Sequence, residues 1–236
     1  MTESTLSAIL LERRDVAPSL AIFRFRAEAP LEFLPGQFAV LGINGIERAY
    51  SIASAPGDDL EFFIELVPQG RLTPLIFALK AGDIISLRPH ARGRFLLDPA
   101  AANHLMVATV TGVAPFMSML RAAPGAKFFL IHGASHVAEF GYADELRQLA
   151  ARNLMRYLPT VSRPFDAAQG GPAENAGWTG ATGRAESHIE GCLDTWGLSA
   201  ANTTAYLCGH PGMVANARQI LARAGFQPQR LRSESW

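Results

Sequence analysis

An arginine, a tyrosine and a serine stand close together in one β-prone segment, Arg48-Ala49-Tyr50-Ser51. In a strand, alternate side chains face the same way, so Arg48 and Tyr50 would share one face. A guanidinium group pairs well with phosphate, and a tyrosine offers a plane against which a flat ring can lie. The spacing therefore predicts a seat for a dinucleotide with a planar head, such as a flavin.

A candidate anion site follows in the sequence Gly70-Arg71-Leu72-Thr73-Pro74. It comes just after a predicted strand, and Thr73-Pro74 gives an N-cap residue followed by proline at the first helical position. Backbone N–H groups at such a helix start can hold a pyrophosphate. Taken alone, the motif also suits an ordinary capped helix.

Two strand-to-helix turns in the second half could serve a nicotinamide dinucleotide. Thr111-Gly112-Val113-Ala114-Pro115 follows an apolar strand, and ligands of open parallel sheets bind outside the carboxyl ends of such strands. A tight turn without a ligand is the alternative. Cys208 ends another apolar strand and would point into the same crevice, or pack as a small hydrophobe. We do not expect a nucleophile there, because no base is identifiable beside the thiol.

The remaining candidates are two arginines and a histidine pair. Arg163 follows a predicted strand and Arg184 ends a Gly-rich stretch, so either could bind a phosphate or simply be solvated. His132 and His136 flank a strand end, and we expect no metal site from them. Cys192 and Cys208 lie outside any CxxC pattern, which argues against a zinc site or a disulfide framework.

The composition favours a well-filled globular protein. The chain has 236 residues, 49% hydrophobic and 18% charged, with a formal net charge of +0. This lacks the basic excess that nucleic-acid or membrane-surface partners favour. No apolar run approaches the length of a membrane span. We expect a monomeric protein of the cytoplasm.

The pattern of elements changes near residue 98. Before it, short β-prone runs separated by Gly, Pro and Asn predict an antiparallel barrel over 1–98, interrupted by one helix at Leu75–Leu79. After it, apolar strands alternate with helices and predict a parallel α/β sheet over 99–236. Arg163–Ser187, rich in Gly, Ala and Pro, is interpreted as a mobile loop.

Taken in order, these motifs resemble those of the ferredoxin–NADP⁺ reductase family, in particular its bacterial type. The resemblance covers nearly the whole chain. It implies an amino-terminal antiparallel β-barrel that binds FAD and a carboxyl-terminal Rossmann-like α/β domain that binds NADP. It also implies hydride exchange between NADP(H) and FAD, and single-electron exchange with ferredoxin or flavodoxin.

The resemblance assigns roles to individual residues. Ser51, Cys208 and Trp236 would be catalytic, with Ser51 near the flavin N5, Cys208 beside the nicotinamide C4 and Trp236 stacked over the flavin. The cofactor-binding residues would be Arg48, Ala49, Tyr50, Ser51, Gly70, Arg71, Leu72 and Thr73 for FAD, Thr111, Gly112 and Pro115 for the nicotinamide dinucleotide, Arg163 and Arg184 for the 2′-phosphate, and Trp236.

Two positions depart from the family pattern. Val110 stands where the usual Gly-Thr-Gly motif has a glycine, and its bulk predicts looser or shifted nicotinamide binding. Ser135 and His136 stand where bacterial members often carry a further phosphate-binding arginine, which weakens the expected preference for NADP.

Three alternatives stay open. A flavin reductase, or the reductase component of a multicomponent oxygenase, would use the same two domains with another acceptor. A regulatory electron-transfer subunit is disfavoured by the absence of a carboxyl-terminal cysteine cluster from the sequence. A nucleotide-binding module without activity would show no diaphorase reaction with ferricyanide.

Overall fold

The structure, a computed structural model, describes residues 5–163 and 175–235. These residues form two compact units. The first comprises the described part of Met1–Leu97 together with Ala114–Ala123, and the second comprises the described parts of Asp98–Val113 and Pro124–Trp236. The predicted fold class is confirmed, with an antiparallel sheet in the first unit and a parallel sheet in the second. The domain limits 1–98 and 99–236 stay predictions.

The first unit is built on six antiparallel strands in the order β4-β3-β6-β1-β2-β5. Their bounds are β1 Leu6–Ala17, β2 Leu20–Ala27, β3 Phe38–Ile43, β4 Ile46–Ser51, β5 Asp59–Glu65 and β6 Ile84–Leu87. Asn44 and Gly45 make the two-residue turn between β3 and β4, with φ of 52° and 76°. These left-handed angles suit the tight turns that join antiparallel strands, and they fix the register in which Ile43 faces Ile46.

The core of the first unit is aromatic. Phe23, Phe25 and Phe62 are fully buried, and the rings of Phe25 and Phe62 meet edge to face at 6.2 Å. Two helices belong to this unit, α1 Thr73–Phe77 and α2 Ala114–Ala122. Phe116 of α2 packs against Phe95 with ring centroids 5.7 Å apart. The helix that follows the predicted nicotinamide turn is therefore part of the antiparallel unit.

The second unit has six parallel strands in the order β10-β9-β8-β7-β11-β12. The strand bounds are β7 Asn103–Thr109, β8 Phe128–Ala134, β9 Met155–Val161, β10 Ala181–Thr182, β11 Thr203–Gly209 and β12 Leu231–Ser235, and the helices are α3 Ala143–Ala151, α4 Ile189–Trp196 and α5 Pro211–Arg223. All seven residues of β11 are buried, as expected for a strand inside a parallel sheet. Since the strands are parallel, their carboxyl ends lie along one edge.

Several elements were not predicted from the sequence. The longest strand, β1, contains the charged run at residues 12–15, which obscures its apolar alternation. The edge strand β12 has a single apolar residue, Leu231. Within the predicted loop Arg163–Ser187, the structure forms the short strand β10, whereas residues 164–174 lie outside the described part. None of the helices in the described residues is long and apolar enough to cross a membrane.

Candidate functional site

Strand β4 carries four of the residues predicted to bind the flavin. Arg48 and Tyr50 lie opposite Leu41 and Ala39 of β3, so they share one face of the sheet. The Arg48 side chain is exposed, and its Nη1 donates to the carbonyl oxygen of Glu47 at 2.7 Å. That bond uses one of the five N–H groups that a guanidinium offers.

The end of β4 buries polar groups. Tyr50 packs partly against the apolar core, and burial raises the pKa of its hydroxyl to about 12, so this group stays protonated in neutral solution. Ser51 is only 8% exposed. Its Oγ is buried and has no hydrogen-bond partner among the described residues. Leaving such a group unpaired costs about 1–3 kcal/mol, which a ligand bonded to it would recover.

The loop before α1 is held by Thr73. Its Oγ1 accepts from the backbone N–H of Val67 at 3.0 Å and donates to the Val67 carbonyl at 3.2 Å. The expectation that Thr73 is the N-cap was therefore wrong: Leu72 is the N-cap residue, and no side chain caps the helix. Because the threonine hydroxyl is used by the loop, the first N–H groups of α1 lack a side-chain cap.

The same loop leaves little space at Gly70. A Cβ atom there would lie 2.9 Å from the carbonyl oxygen of Val67. The side chain of Leu72 is buried, so only its backbone can meet a ligand, whereas the Arg71 side chain is exposed. The predicted pyrophosphate loop thus presents backbone and one guanidinium.

Arg121 of α2 was not recognised from the sequence. Its Nη1 donates to the carbonyl of Ala53 at 3.0 Å and to Glu61 Oε1 at 2.7 Å. Ala53 comes two residues after Ser51, so Arg121 fixes the segment that leaves β4. No local sequence pattern predicts these two hydrogen bonds, because they join residues 60 or more positions apart.

In the second unit, the turns after the adjacent strands β7 and β11 meet backbone to backbone. A Cβ atom on Gly112 would overlap the carbonyl oxygen of Cys208 and lie 2.8 Å from the Cα of Gly209. Gly209 itself has a φ of 131°, and Thr109 Oγ1 accepts from the backbone N–H of His210 at 2.8 Å. The structure therefore brings Gly112 and Cys208 together at the carboxyl edge of the sheet. Pro115 is buried in α2.

Val110, between β7 and Gly112, has a left-handed backbone with a φ of 45°. This conformation is an outlier for a β-branched residue, and such strain costs about 1–3 kcal/mol. The carbonyl oxygen of Val110 lies 3.1 Å from Nε2 of His132. Burial lowers the pKa of His132 to about 4, so the ring is neutral in neutral solution. Val110 thus differs from the glycine of the family pattern in two respects: its side chain is larger, and its backbone conformation is strained.

Arg163 and Arg184 follow neighbouring parallel strands, β9 and β10, at equivalent positions. Val161 of β9 is in register with Thr182 of β10, and each arginine comes two residues later. Both side chains are exposed at the carboxyl edge. The register therefore supports a shared anion site, which the spacing in the sequence could not reveal.

The loop after β8 has neither arginine nor lysine at residues 135–139. The carboxylate of Glu139 accepts from the backbone N–H groups of Ser135 at 2.8 Å and His136 at 3.0 Å. Buried Asn175 accepts from the N–H of Val137 at 2.8 Å and donates to the carbonyl of Ser135 at 3.0 Å. These three backbone donors are thus satisfied by the protein's own side chains.

The half-buried carboxyl group of Glu234 was also not recognised from the sequence. Glu234 of β12 lies in register with Cys208 of β11. Its Oε2 is buried and has no hydrogen-bond partner within the described ranges, and burial raises its pKa to about 7. Trp236 lies outside the described residues, so its stacking role stays a prediction. In residues 5–163 and 175–235, no cluster of His, Cys, Asp or Glu could hold a metal ion.

Comparison with known proteins agrees with this arrangement. The family model described as oxidoreductase FAD-binding domain matches residues 7–95, and that described as oxidoreductase NAD-binding domain matches residues 106–219. The flavodoxin/ferredoxin–NADP reductase of Escherichia coli (strain K12) is 35% identical over 216 residues, which are 84% of this chain and 83% of that protein. The chain belongs to the ferredoxin–NADP reductase family.

Further relatives extend the family in two directions. A ferredoxin NADP⁺ reductase from Neisseria gonorrhoeae, solved with bound FAD and NADP, has a TM-score of 0.83 and 26% identity, covering 98% of both chains. The reductase component of the naphthalene 1,2-dioxygenase system of Pseudomonas putida is 29% identical over 90% of this chain and 63% of that protein. The predicted family, the oxidoreductase class and the FAD and nicotinamide cofactors are confirmed. The individual site residues stay predictions, because membership of this reductase family assigns no role to a single side chain.

Proposed function

We propose that this chain is a ferredoxin/flavodoxin–NADP reductase, which exchanges a hydride with NADP(H) and single electrons with ferredoxin or flavodoxin. The observation that carries the proposal is the 35% identity with the E. coli reductase across more than four fifths of both chains. The two units supply the two nucleotide seats that such a reaction needs.

The first unit fits a flavin dinucleotide, because the buried Ser51 Oγ at the end of β4 has no hydrogen-bond partner among the described residues and a bound ligand could provide one. Arg48 would bind the pyrophosphate and Tyr50 would lie against the ring system. Gly70 and the backbone of the following residues would hold the phosphates from the loop before α1. When bound, FAD supplies hydride acceptance and stepwise electron release, while the protein supplies position and electrostatics.

The second unit fits a nicotinamide dinucleotide. Gly112 lacks a side chain where the two turns meet, so a ligand can approach the backbone beside Cys208. Thr111 would support the dinucleotide from the same turn, and the role of Pro115, which lies in α2 of the first unit, stays a prediction. Arg163 and Arg184 would bind the 2′-phosphate and so favour NADPH over NADH.

Glu234 would hold a proton beside Cys208. Its raised pKa keeps a large share of the carboxyl groups protonated near neutral pH. A neutral carboxyl carries a donor O–H and avoids a negative charge beside the buried Cys208. Its register partner Cys208 is fully buried, and neither side chain would act as a nucleophile.

The test is NADPH-driven reduction by the FAD-loaded protein. We expect reduction of ferricyanide and of ferredoxin or flavodoxin, with a higher kcat/KM for NADPH than for NADH. A folded protein that cannot be loaded with FAD, or that reduces no acceptor, would contradict the proposal.

A second candidate is the reductase component of a multicomponent oxygenase, which the naphthalene dioxygenase relative favours. Its acceptor would be the iron–sulfur protein of an oxygenase. Side-by-side rates with flavodoxin, a low-potential ferredoxin and an oxygenase ferredoxin separate the two. A clear preference for the oxygenase ferredoxin would select the second candidate.

A further inference from the structure

The strained backbone at Val110 requires something to hold it. Residues in the left-handed region persist only where their surroundings enforce the conformation. Val110 combines a φ of 45° with a β-branched side chain. That side chain packs against a small apolar cluster of Ala134, Phe140 and Val161, which anchors one end of the residue. The packing leaves open what orients its carbonyl group.

His132 supplies a side-chain hydrogen bond to that carbonyl, which belongs to the first residue of the short 3₁₀ helix Val110–Val113. A carbonyl oxygen can only accept, so the proton of the imidazole is on Nε2 and points at Val110. The hydroxyl of Tyr157 lies 3.5 Å from Nδ1, on the side where the ring has its lone pair. Phe140 meets the imidazole edge to face at 5.1 Å. The ring is fully buried, and these three groups contact it from different sides.

The peptide that His132 holds is part of the Thr109–Gly112 turn. Because the trans peptide is planar, its N–H and C=O point in opposite directions. The carbonyl of Val110 points at His132, so the N–H of Thr111 points away from it. Thr109 and Gly112, on either side, are fixed by His210 and Cys208. The conformation at Val110 therefore determines where the backbone donor of Thr111 is aimed.

We propose that His132 is a positioning residue for nicotinamide-dinucleotide binding: by holding the Val110 carbonyl it keeps the Val110–Thr111 peptide oriented so that the Thr111 N–H faces the ligand. This inference rests on the proposed function of the turn. The histidine itself does not touch the ligand. Glycine in place of Val110 would adopt the same conformation without strain and would make the histidine dispensable.

The experiment is a double-mutant cycle on the FAD-loaded protein, read by calorimetric titration with NADP⁺ and by the melting temperature. His132→Phe keeps a buried ring but removes the donor, and we expect the Kd for NADP⁺ to rise about tenfold, as for one lost buried hydrogen bond. His132→Gln keeps an N–H donor and should recover most of the affinity. In a Val110→Gly background, His132→Phe should change the Kd by less than about threefold.

A matched control is His104→Phe. His104 is also buried, but it lies near the start of β7 at the amino edge of the sheet, 3.2 Å from the hydroxyl of Tyr206. This substitution should lower the melting temperature and leave the Kd for NADP⁺ unchanged in both backgrounds. If loss of core packing alone weakened NADP⁺ binding, His132→Phe and His104→Phe would raise the Kd for NADP⁺ to a similar extent.

The outcomes separate the two hypotheses. Wild-type protein that binds FAD but no NADP⁺ would contradict the proposed function of the turn. If the wild-type protein binds NADP⁺, two results would overturn the positioning role. One is an equal change of Kd by His132→Phe in the wild-type and Val110→Gly backgrounds. The other is no change of Kd by His132→Phe in the wild-type background. If His132→Phe alone does not fold, the Val110→Gly/His132→Phe double variant should fold and bind NADP⁺ within about threefold of Val110→Gly. A double variant that stays unfolded would also overturn it.

Discussion

Substituting Gly112 by alanine should impair the nicotinamide site while leaving the flavin site intact. The added Cβ would lie 2.6 Å from the carbonyl carbon of Cys208 and closer still to its oxygen, whereas real Cβ atoms stay beyond 3.0 Å. Both neighbours are backbone, so neither can rotate away. The two turns would have to separate by on the order of 1 Å, and a displacement of that size can cost about 100-fold in rate.

The assay is steady-state reduction of ferricyanide with NADPH as the varied substrate. We expect kcat/KM to fall about 100-fold, equivalent to about 2.7 kcal/mol of transition-state stabilisation. The FAD content should stay at the wild-type level. Gly191→Ala is the matched control, because a Cβ there meets nothing within 4 Å and alanine favours the helix α4. Wild-type kinetics for Gly112→Ala would refute the placement of the nicotinamide at this turn.

Three further predictions concern single side chains. Arg48→Ala should raise the Kd for FAD about 10- to 150-fold, which corresponds to the loss of one charged hydrogen bond, as measured by quenching of flavin fluorescence. Arg26→Ala is the control, because the exposed Arg26 pairs with Asp59 outside the proposed flavin seat, and it should leave the Kd for FAD unchanged. Arg163→Ala should lower the ratio of kcat/KM for NADPH over NADH about tenfold or more, and an unchanged ratio would show that this arginine does not read the phosphate. For Glu234, the folded-state pKa of about 7 exceeds the ordinary 4.5, so its stabilising contribution is present below pH 4.5 and lost as pH rises through 7. Glu234→Gln should therefore flatten the fall in melting temperature between about pH 5 and 8. A wild-type slope in this variant would show that the pKa of Glu234 is not raised in the folded protein.

Much of the fold could be predicted because local signals agree with it. The strands Asn103–Thr109 and Phe128–Ala134 contain apolar runs, and the Asn44-Gly45 turn has the residues that its left-handed angles require. The failures have physical causes. Strand β1 was hard to recognise because four consecutive charged residues, 12–15, interrupt its apolar alternation. Strand β12 forms because it pairs with β11 rather than through its own strand propensity.

The geometry of the candidate site could be predicted where its residues lie in one short segment. It could not be predicted where segments far apart in the sequence contact each other. Arg48 and Tyr50 lie two residues apart, so strand alternation places them on one face. The bond from Arg121 to Ala53 and the contact of His132 with Val110 depend on tertiary packing that no spacing encodes. The same holds for the Thr73 hydroxyl, which bonds to Val67 instead of capping its own helix.

The proposed flavin seat at residues 48–51 is the structural feature on which the proposed function depends most. A crystal structure of the protein grown with FAD would reveal whether the seat is occupied. We expect the pyrophosphate at the guanidinium of Arg48, the ring system against Tyr50 and a hydrogen bond to Ser51 Oγ. Flavin density elsewhere, or its absence from a crystal of folded protein at saturating FAD, would contradict this seat.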